Sequence, residues 1–318
     1  MMSDERKASL NFHSSLITHH SSLNKMHIPV LLPEAIDGLN PEPGETFIDG
    51  TLGNGGHAKA LTEKLGKGGW LIGIDQDESS LAGARKNLAD APCRVSFVLG
   101  NFRKIAEIAK AEGIDWADGI LLDIGFSSNQ LESSGKGFSF LRDEPLDMRM
   151  GEETKFTAAE MVNDWDEANL ADVIYGYGEE TAARAIARGI VAARRQRPIK
   201  TTGELVEAIR QALPVPLTKK RLHFATKTFQ ALRIAVNDEL GALKEGMAGA
   251  WSVLKSGGRL GIISFHSLEA RQIKEFFKEK ARRGEGELRP KKVLKASREE
   301  ILANPRSRSA QLRIIVKN

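Results

Sequence analysis

The chain is poor in cysteine, and it lacks the long apolar runs and metal-binding motifs that mark several large classes of protein. Its 318 residues include one cysteine, Cys93, which excludes an internal disulfide and suits a reducing, cytoplasmic location. No apolar run reaches the length of about 18 residues that a membrane span needs, and no apolar signal-peptide segment begins the chain. Because CxxC and HExxH are absent, we expect no metal site.

Charge is distributed unevenly, although the net value is only +4. Residues 139–183 contain 12 acidic and 3 basic side chains, whereas residues 184–233 contain 12 basic and 2 acidic ones. A dense basic block indicates a surface for nucleic acid or another polyanion. Two solvated helical faces that pair with each other would explain the pattern equally well. On the first interpretation, the RNA-binding residues are Arg194, Arg195, Arg197, Lys219, Lys220 and Arg221.

Short apolar segments alternate with helical patterns from Glu45 onward. This alternation favours a parallel sheet that is covered on both faces. Only helical patterns occur between about 127 and 222, so we predict one α/β domain that is interrupted by a helical insertion after its fourth strand. Strands are predicted at 46–49, 69–75, 95–99, 119–123, 259–265 and 311–316, and helices at 57–65, 79–89, 102–111, 166–175, 179–194, 202–213 and 226–254.

The predicted domain boundaries follow from this pattern. Residues 26–126 and 223–318 are expected to form the two parts of the α/β domain, and residues 127–222 the helical insertion. Residues 1–25 contain little that would be buried. We interpret them as a disordered tail or as an over-long start, with Met26 as the natural first residue.

Four glycines follow the first predicted strand in the segment FIDGTLGNGGH, which begins at Phe47. The span from Gly53 to Ala58 fits G-x-G-x-x-G/A, and Asp75 follows Gly53 by 22 residues at the tip of the second predicted strand. Ligands of open α/β sheets bind at this carboxyl edge, where such an acid hydrogen-bonds a ribose. A plain tight turn also gives such a glycine motif, but the position of Asp75 favours a nucleoside-containing cofactor.

Asp49 indicates which nucleoside cofactor suits the loop. NAD places a pyrophosphate over the helix N-terminus, whereas S-adenosylmethionine places an amino-acid group and a sulfonium near the loop. A carboxylate at Asp49 attracts an ammonium or a sulfonium and repels a pyrophosphate. The sequence therefore favours S-adenosylmethionine, although Asp49 would also serve as a simple cap of the turn.

The fourth predicted strand ends at Asp123, which we expect to face the same crevice. Methyl transfer to an exocyclic amine requires a group that accepts the amine hydrogens and holds the nitrogen in line with the methyl group. Asp123 suits this task and could also receive the proton. The alternative, in which Asp123 caps the next helix, stays open at this point.

Several segments together resemble the bacterial ribosomal RNA small-subunit methyltransferase H family. The resemblance covers essentially Met26 to the C-terminus. Its most specific motifs occur late in the chain, whereas the glycine loop alone is not specific. The motifs are DGTLGNGGH from Asp49, LDIGFSSNQL from Leu122, PLDMRM from Pro145, FQALRI from Phe229 and SFHSLE from Ser264.

The resemblance implies a class I, Rossmann-like methyltransferase fold with a helical insertion, and the product N4-methylcytidine in the decoding region of 16S ribosomal RNA. It implies that Asp75 holds the ribose and that Phe102 flanks the adenine of S-adenosylmethionine. The cofactor loop would contain Gly55, Gly56 and His57, and the pocket would be completed by Asp123 and Gln130. From the motif itself we add Asp49 and Gly53 as cofactor-binding residues.

Within this framework, His266 lies just past the fifth predicted strand and could hydrogen-bond the target base. The alternative is a buried, satisfied histidine, with Ser267 as the N-cap of the next helix. The expected partner is small-subunit ribosomal RNA or the small ribosomal subunit, and a homodimer is one open arrangement. Alternatives are a methyltransferase acting on another amine, a nicotinamide-dependent oxidoreductase, which Asp49 disfavours, and an RNA-binding assembly factor without catalysis.

Overall fold

The computed structural model describes residues 29–125, 135–151, 154–218 and 222–318. Apolar runs form one central sheet, whose inner strands are buried from both sides. The strands are β1 Thr46–Asp49, β2 Trp70–Asp75, β3 Arg94–Leu99, β4 Ala117–Asp123, β5 Leu254–Ser264, β6 Gly286–Leu288, β7 Leu294–Lys295 and β8 Gln311–Lys317.

The order of the strands across the sheet is β3-β2-β1-β4-β5-β8-β6, and β7 also pairs with β8. Strands β1 to β5 are mutually parallel, whereas β8 runs antiparallel to its neighbours. Because β1 lies between β2 and β4, the tips of these three strands meet at one edge. The predicted fold class, a Rossmann-like methyltransferase sheet, is confirmed.

Helices cover both faces of the sheet or form a separate helical part. Among the described residues, none of them is both long enough and apolar enough to cross a membrane. They are α1 Leu32–Leu39, α2 Gly56–Leu65, α3 Glu78–Asn87, α4 Ile105–Ala111, α5 Ala158–Asp164, α6 Glu167–Gly178, α7 Ala183–Gln196, α8 Thr202–Ala212, α9 Val215–Thr218, α10 Thr226–Asn237, α11 Glu239–Val253, α12 Ser267–Arg282 and α13 Arg298–Ala303.

The apolar side chains divide into three clusters. Phe47 faces a cluster with α1, α2 and α3, whereas its neighbour Ile48 faces a cluster with α4, α11 and α12. This alternation is the period-2 pattern of a strand that is buried on both sides. The third cluster lies in the helical part between Phe138 and Val236 and includes residues of α10. The division at 126/127 and 222/223 stays a prediction.

The single helix predicted over 226–254 is wrong, because the chain breaks at Asp238. Asp238 adopts φ 46° between α10 and α11. Left-handed backbone is tolerated better by aspartate than by most side chains. Arg233 forms a two-point ion pair with Glu239 across the break, and Asp238 pairs with Arg103. The strand β5 also begins at Leu254, five residues before the predicted start at Arg259.

Candidate functional site

A cavity of about 1040 Å³ lies at the carboxyl edge of the sheet. Its first wall, which we call the strand wall, is formed by the tips of β1, β2, β3 and β4 and the loops that follow them. The second wall, which we call the loop wall, comes from the helical part and from the α10–α11 break. The strand wall comprises Gly50–Asn54, Gly56, His57, 75–78, 99–104 and 123–125, and the loop wall comprises Lys136, Met150, Gly151, 154–156 and 235–239.

The glycine loop has the conformation that its composition predicts. Gly53 has φ 52° and Gly55 has φ 82°, values that side chains with a Cβ rarely adopt. Gly55 precedes the first residue of α2, so the loop leads directly into a helix N-terminus. The backbone N–H of Gly53 donates to Asp75 Oδ2 at 2.7 Å. This bond joins the loop to the tip of β2.

Asp75 is held by backbone groups on both carboxylate oxygens. In addition to the bond from Gly53, its Oδ1 accepts a hydrogen bond from the N–H of Asp77 at 2.9 Å. Burial raises the pKa of Asp75 to about 6, although these two backbone hydrogen bonds oppose the shift. Each oxygen keeps a further lone pair, so the carboxylate can still accept hydroxyl donors from the cavity.

Asp49 lies beneath the loop and is only 2% exposed. Burial raises its pKa to about 6, and the nearby carboxylates of Asp123 and Asp75 add to the rise. His57 and a hydrogen bond from the N–H of Thr51 at 3.1 Å lower it again. Among the described residues, neither Asp49 nor Gly55 forms part of the cavity wall. The strand tips therefore concentrate negative charge behind the loop, where a cation would stabilise it.

His57 lies between the N-terminal segment and Asp123. Its Nε2 is 2.9 Å from the carbonyl oxygen of Val30, and its Nδ1 is 3.7 Å from Asp123 Oδ2. Asp123 Oδ1 accepts a hydrogen bond from Gly125 N–H at 3.2 Å, and the Asp123 N–H donates to Thr51 Oγ1 at 2.6 Å. Asp123 is thus fixed at the cavity by groups on either side of it.

Phe102 lines the cavity and packs against the cluster that includes α4 and α11. Beside it, Asn101 donates a side-chain hydrogen bond to Gln76 Oε1 at 3.1 Å. Neither residue was predicted as part of the site, although Gln76 directly follows β2 and Asn101 lies two residues after the end of β3. Their amides are suited to forming hydrogen bonds with the polar edge of a base.

His266 caps α12 itself, so the assignment of Ser267 as the N-cap is wrong. Its Nδ1 accepts from the Glu269 N–H at 3.5 Å, and Glu269 Oε2 accepts from the N–H of Phe265 at 2.8 Å. Nε2 of His266 lies 2.8 Å from Glu269 Oε1, at an angle that forms no hydrogen bond. In the part of the chain that the structure describes, His266 is not in the cavity wall, and its predicted catalytic role stays a prediction.

Three potential metal ligands lie together near His266. Glu239, His266 and Glu269 each offer an atom within 4.8 Å of the others. Protein groups already neutralise or hydrogen-bond the carboxylates, since Arg233 binds Glu239 and backbone N–H groups bind Glu269. Both carboxylates of this group therefore already have protein partners.

The loop wall depends on Asn237, which the sequence did not single out. Asn237 Nδ2 donates to the carbonyl of Met148 at 2.8 Å, and Asn237 Oδ1 accepts from Met150 N–H at 2.8 Å. Met148 is fully buried and has φ 61°. One amide thus fixes both sides of an unusual backbone turn, which carries Met150 and Gly151 into the cavity wall.

The six predicted RNA-binding residues differ in their surroundings. Arg194 donates to the carbonyl of Val162 at 2.7 Å, and Arg197 forms an ion pair with Glu204. Arg195 is exposed. Of the remaining predicted residues, Lys219, Lys220 and Arg221 lie outside the described part of the chain, as does the predicted cofactor residue Gln130.

The parallel sheet order and the acidic cavity at its carboxyl edge define a Rossmann-like methyltransferase. The model of the MraW methylase family matches residues 24–318. The chain belongs to this family, and the predicted resemblance is confirmed.

Curated relatives match over most of their length. The chain is 48% identical over 306 residues to ribosomal RNA small subunit methyltransferase H of Symbiobacterium thermophilum, covering 92% of this chain and 96% of that protein. It is 43% identical to the protein of the same name from Brevibacillus brevis, covering 93% and 99%. A solved rRNA methylase from Streptococcus thermophilus is 10% identical with a TM-score of 0.44, covering 92% of this chain and 98% of that one.

Proposed function

We propose that this protein transfers a methyl group from S-adenosylmethionine to the N4 amine of a cytidine in the decoding region of 16S ribosomal RNA. Relatives at 42–48% identity that carry the name ribosomal RNA small subunit methyltransferase H support an rRNA substrate. The observation that carries the reaction class is the arrangement of Asp49, Asp75 and Asp123 around one glycine loop.

The residues at the strand wall fit S-adenosylmethionine. This cofactor supplies an electrophilic methyl group on a positively charged sulfur. Asp75 in this wall and Asp49 beneath it have pKa values raised to about 6, so a cation would stabilise their charged forms and a pyrophosphate would be repelled. Asp75 is placed to accept hydrogen bonds from ribose hydroxyls, and the amides of Gln76 and Asn101 lie beside Phe102, where adenine would be recognised.

Asp123 is the residue that we assign to the target amine. It stands at the tip of β4, in the cavity wall, and its position is fixed through Thr51 and Gly125. A carboxylate in this position accepts an amine hydrogen and directs the nitrogen lone pair toward the methyl group. The remaining volume of the cavity extends to the loop wall, which leaves room for a nucleotide beside the cofactor.

The finer features of the substrate belong to the same proposal. The helical insertion over 127–222 binds the RNA. Its phosphate contacts, which set affinity and register, come from exposed Arg195 and from Lys219, Lys220 and Arg221. Lys136 and Lys155 are exposed at the loop wall and offer positive charge at the mouth of the cavity. The substrate is small-subunit RNA in the cytoplasm.

Transfer of a labelled methyl group tests the proposal. Purified protein is incubated with methyl-labelled S-adenosylmethionine and small ribosomal subunits from a strain that lacks this activity, and the digested RNA is analysed by nucleoside mass. We expect label in N4-methylcytidine. Label in protein would support the alternative of another amine substrate. Bound cofactor without any transfer would support the assembly factor without catalysis.

A further inference from the structure

The contacts of His57 define which of its ring nitrogens carries a proton. A carbonyl oxygen only accepts hydrogen bonds, so the 2.9 Å contact between Nε2 and Val30 O requires a proton on Nε2. In the neutral ring, Nδ1 then carries a lone pair. This lone pair faces Asp123 Oδ2 at 3.7 Å, with His57 only 6% exposed.

Two acceptors therefore face each other at the end of β4. A neutral imidazole nitrogen and a carboxylate oxygen repel unless one of them binds a proton. The separation of 3.7 Å is too long for a hydrogen bond, but it allows one to form after a small movement. Buried Asp49 and half-buried Asp75 are the other acidic groups at these strand tips.

We infer that the His57–Asp123 pair is the proton acceptor of the methyl transfer, with Asp123 Oδ2 receiving the proton and His57 Nδ1 storing it. This inference rests on the proposed function. It gives His57 a chemical task in addition to its place in the glycine loop, and it explains why its other nitrogen is anchored to the backbone.

The electron and proton balance of the step is complete. The lone pair of the amine nitrogen forms the new nitrogen–carbon bond, while the electron pair of the breaking carbon–sulfur bond goes to sulfur. The nitrogen is left with one proton too many. Asp123 accepts this proton, and its transfer to Nδ1 produces an imidazolium beside a carboxylate, which the surrounding acids stabilise. The proton is then released to solvent.

His57→Gln tests this task with the anchor retained. A glutamine places its amide nitrogen near the position of Nε2, so it can still donate to the carbonyl of Val30, but it has no titratable atom toward Asp123. We expect kcat at pH 7.5 to fall by about 10–100-fold, with the Kd for S-adenosylmethionine changed less than about 3-fold. The shape of the pH–rate profile should change, because Asp123 then has no imidazole to which it can pass the proton. His223→Gln, at an exposed histidine outside the cavity, is the matched control.

A second readout needs no turnover. Nitrogen NMR of labelled histidine in the full-length protein should show His57 in the Nε2–H form, because Val30 O accepts from Nε2. An Nδ1–H form would overturn the inference, as would a His57→Gln pH–rate profile of the wild-type shape. If the protein methylates no RNA while the NMR results hold, the proposed function fails and the proton-binding pair stands.

Discussion

The strand wall of the cavity consists of strand tips and a glycine loop, whereas the loop wall consists of an irregular turn held by the break between two helices. Asp75 in the strand wall and buried Asp49 beneath it have pKa values raised to about 6. The loop wall contains exposed Lys136 and Lys155 together with the acidic Asp238 and Glu239. In the proposed function, the first wall holds the cationic cofactor and the second faces the RNA.

Asp75→Ala should have the largest effect on the strand wall. The change leaves ribose hydroxyls without an acceptor and frees the N–H groups of Gly53 and Asp77. We expect the Kd for S-adenosylmethionine to rise by about 100-fold or more, since each bond to a charged group contributes about 1.5–3 kcal/mol. Calorimetry measures the effect. Asp75→Asn, which keeps one acceptor oxygen, should fall between this variant and wild type, and unchanged affinity in both would refute the assignment.

Asn237→Ala should affect the loop wall alone. It removes the partners of Met148 O and Met150 N–H, so the turn loses the amide that fixes it. We expect kcat/KM for small ribosomal subunits to fall by about 10-fold, which corresponds to about 1.4 kcal/mol. The Kd for S-adenosylmethionine, measured by calorimetry, should stay within about 2-fold of the wild-type value. A matching loss of cofactor affinity would show that the two walls are not independent.

Asp49→Asn should raise the stability of the fold while it weakens cofactor binding. The wild-type pKa of about 6 lies above the ordinary value of 3.8, so the folded state binds this proton more tightly than the unfolded state. Stability from this group is therefore present below pH 4 and is lost as pH rises through 6. The asparagine avoids the loss, and we expect the variant to be more stable by about 1–3 kcal/mol at pH 7.5.

The same substitution should weaken the binding of the cationic cofactor. Wild-type affinity for S-adenosylmethionine should also decline as pH falls through about 6, because Asp49 and Asp75 become protonated. S-adenosylhomocysteine, which has no sulfonium, is the matched ligand and should show a weaker dependence on Asp49. Denaturant unfolding and calorimetry at several pH values measure both effects. Equal losses of affinity for the two ligands would mean that the sulfonium does not bind near Asp49.

Charge reversal at the predicted RNA-binding surface should give the smallest change per residue. Arg194 is excluded from the test, because its bond to Val162 gives it a structural task. Replacing Arg195, Lys219, Lys220 and Arg221 by Glu should weaken RNA binding and flatten its salt dependence by about 0.7 for each phosphate contact that is lost. Lys64→Glu, an exposed change on α2, is the control. An unchanged slope would mean that the basic block is only a solvated face.

The sequence predicted the strand wall because general rules govern strand tips. A buried strand that ends in aspartate before a glycine loop has few possible geometries, and Asp49, Asp75 and Asp123 lie where this rule places them. The bounds of β1 were predicted correctly, and those of β2, β3 and β4 to within two residues. Short strands such as β6 and β7, with two or three residues, carry too little pattern to be recognised.

The loop wall could not be predicted, because its geometry depends on contacts between residues that are distant in sequence. Asn237 acts through its amide on backbone groups almost 90 residues away, and such a contact leaves no local pattern in the sequence. The break at Asp238 lies inside a continuous helical pattern and depends on the pairing of Arg233 with Glu239 and of Asp238 with Arg103. Tertiary contacts of this kind override helix propensity.

One measurement tests the account most directly. Methyl transfer to N4 of cytidine in small ribosomal subunits is followed for wild type, Asp75→Ala and Asn237→Ala, while cofactor and subunit concentrations are varied separately. The account predicts that Asp75→Ala raises mainly the concentration of S-adenosylmethionine that is needed, and that Asn237→Ala lowers mainly the efficiency toward the subunit. Label in another nucleoside, or equal changes for both variants on both axes, would contradict it.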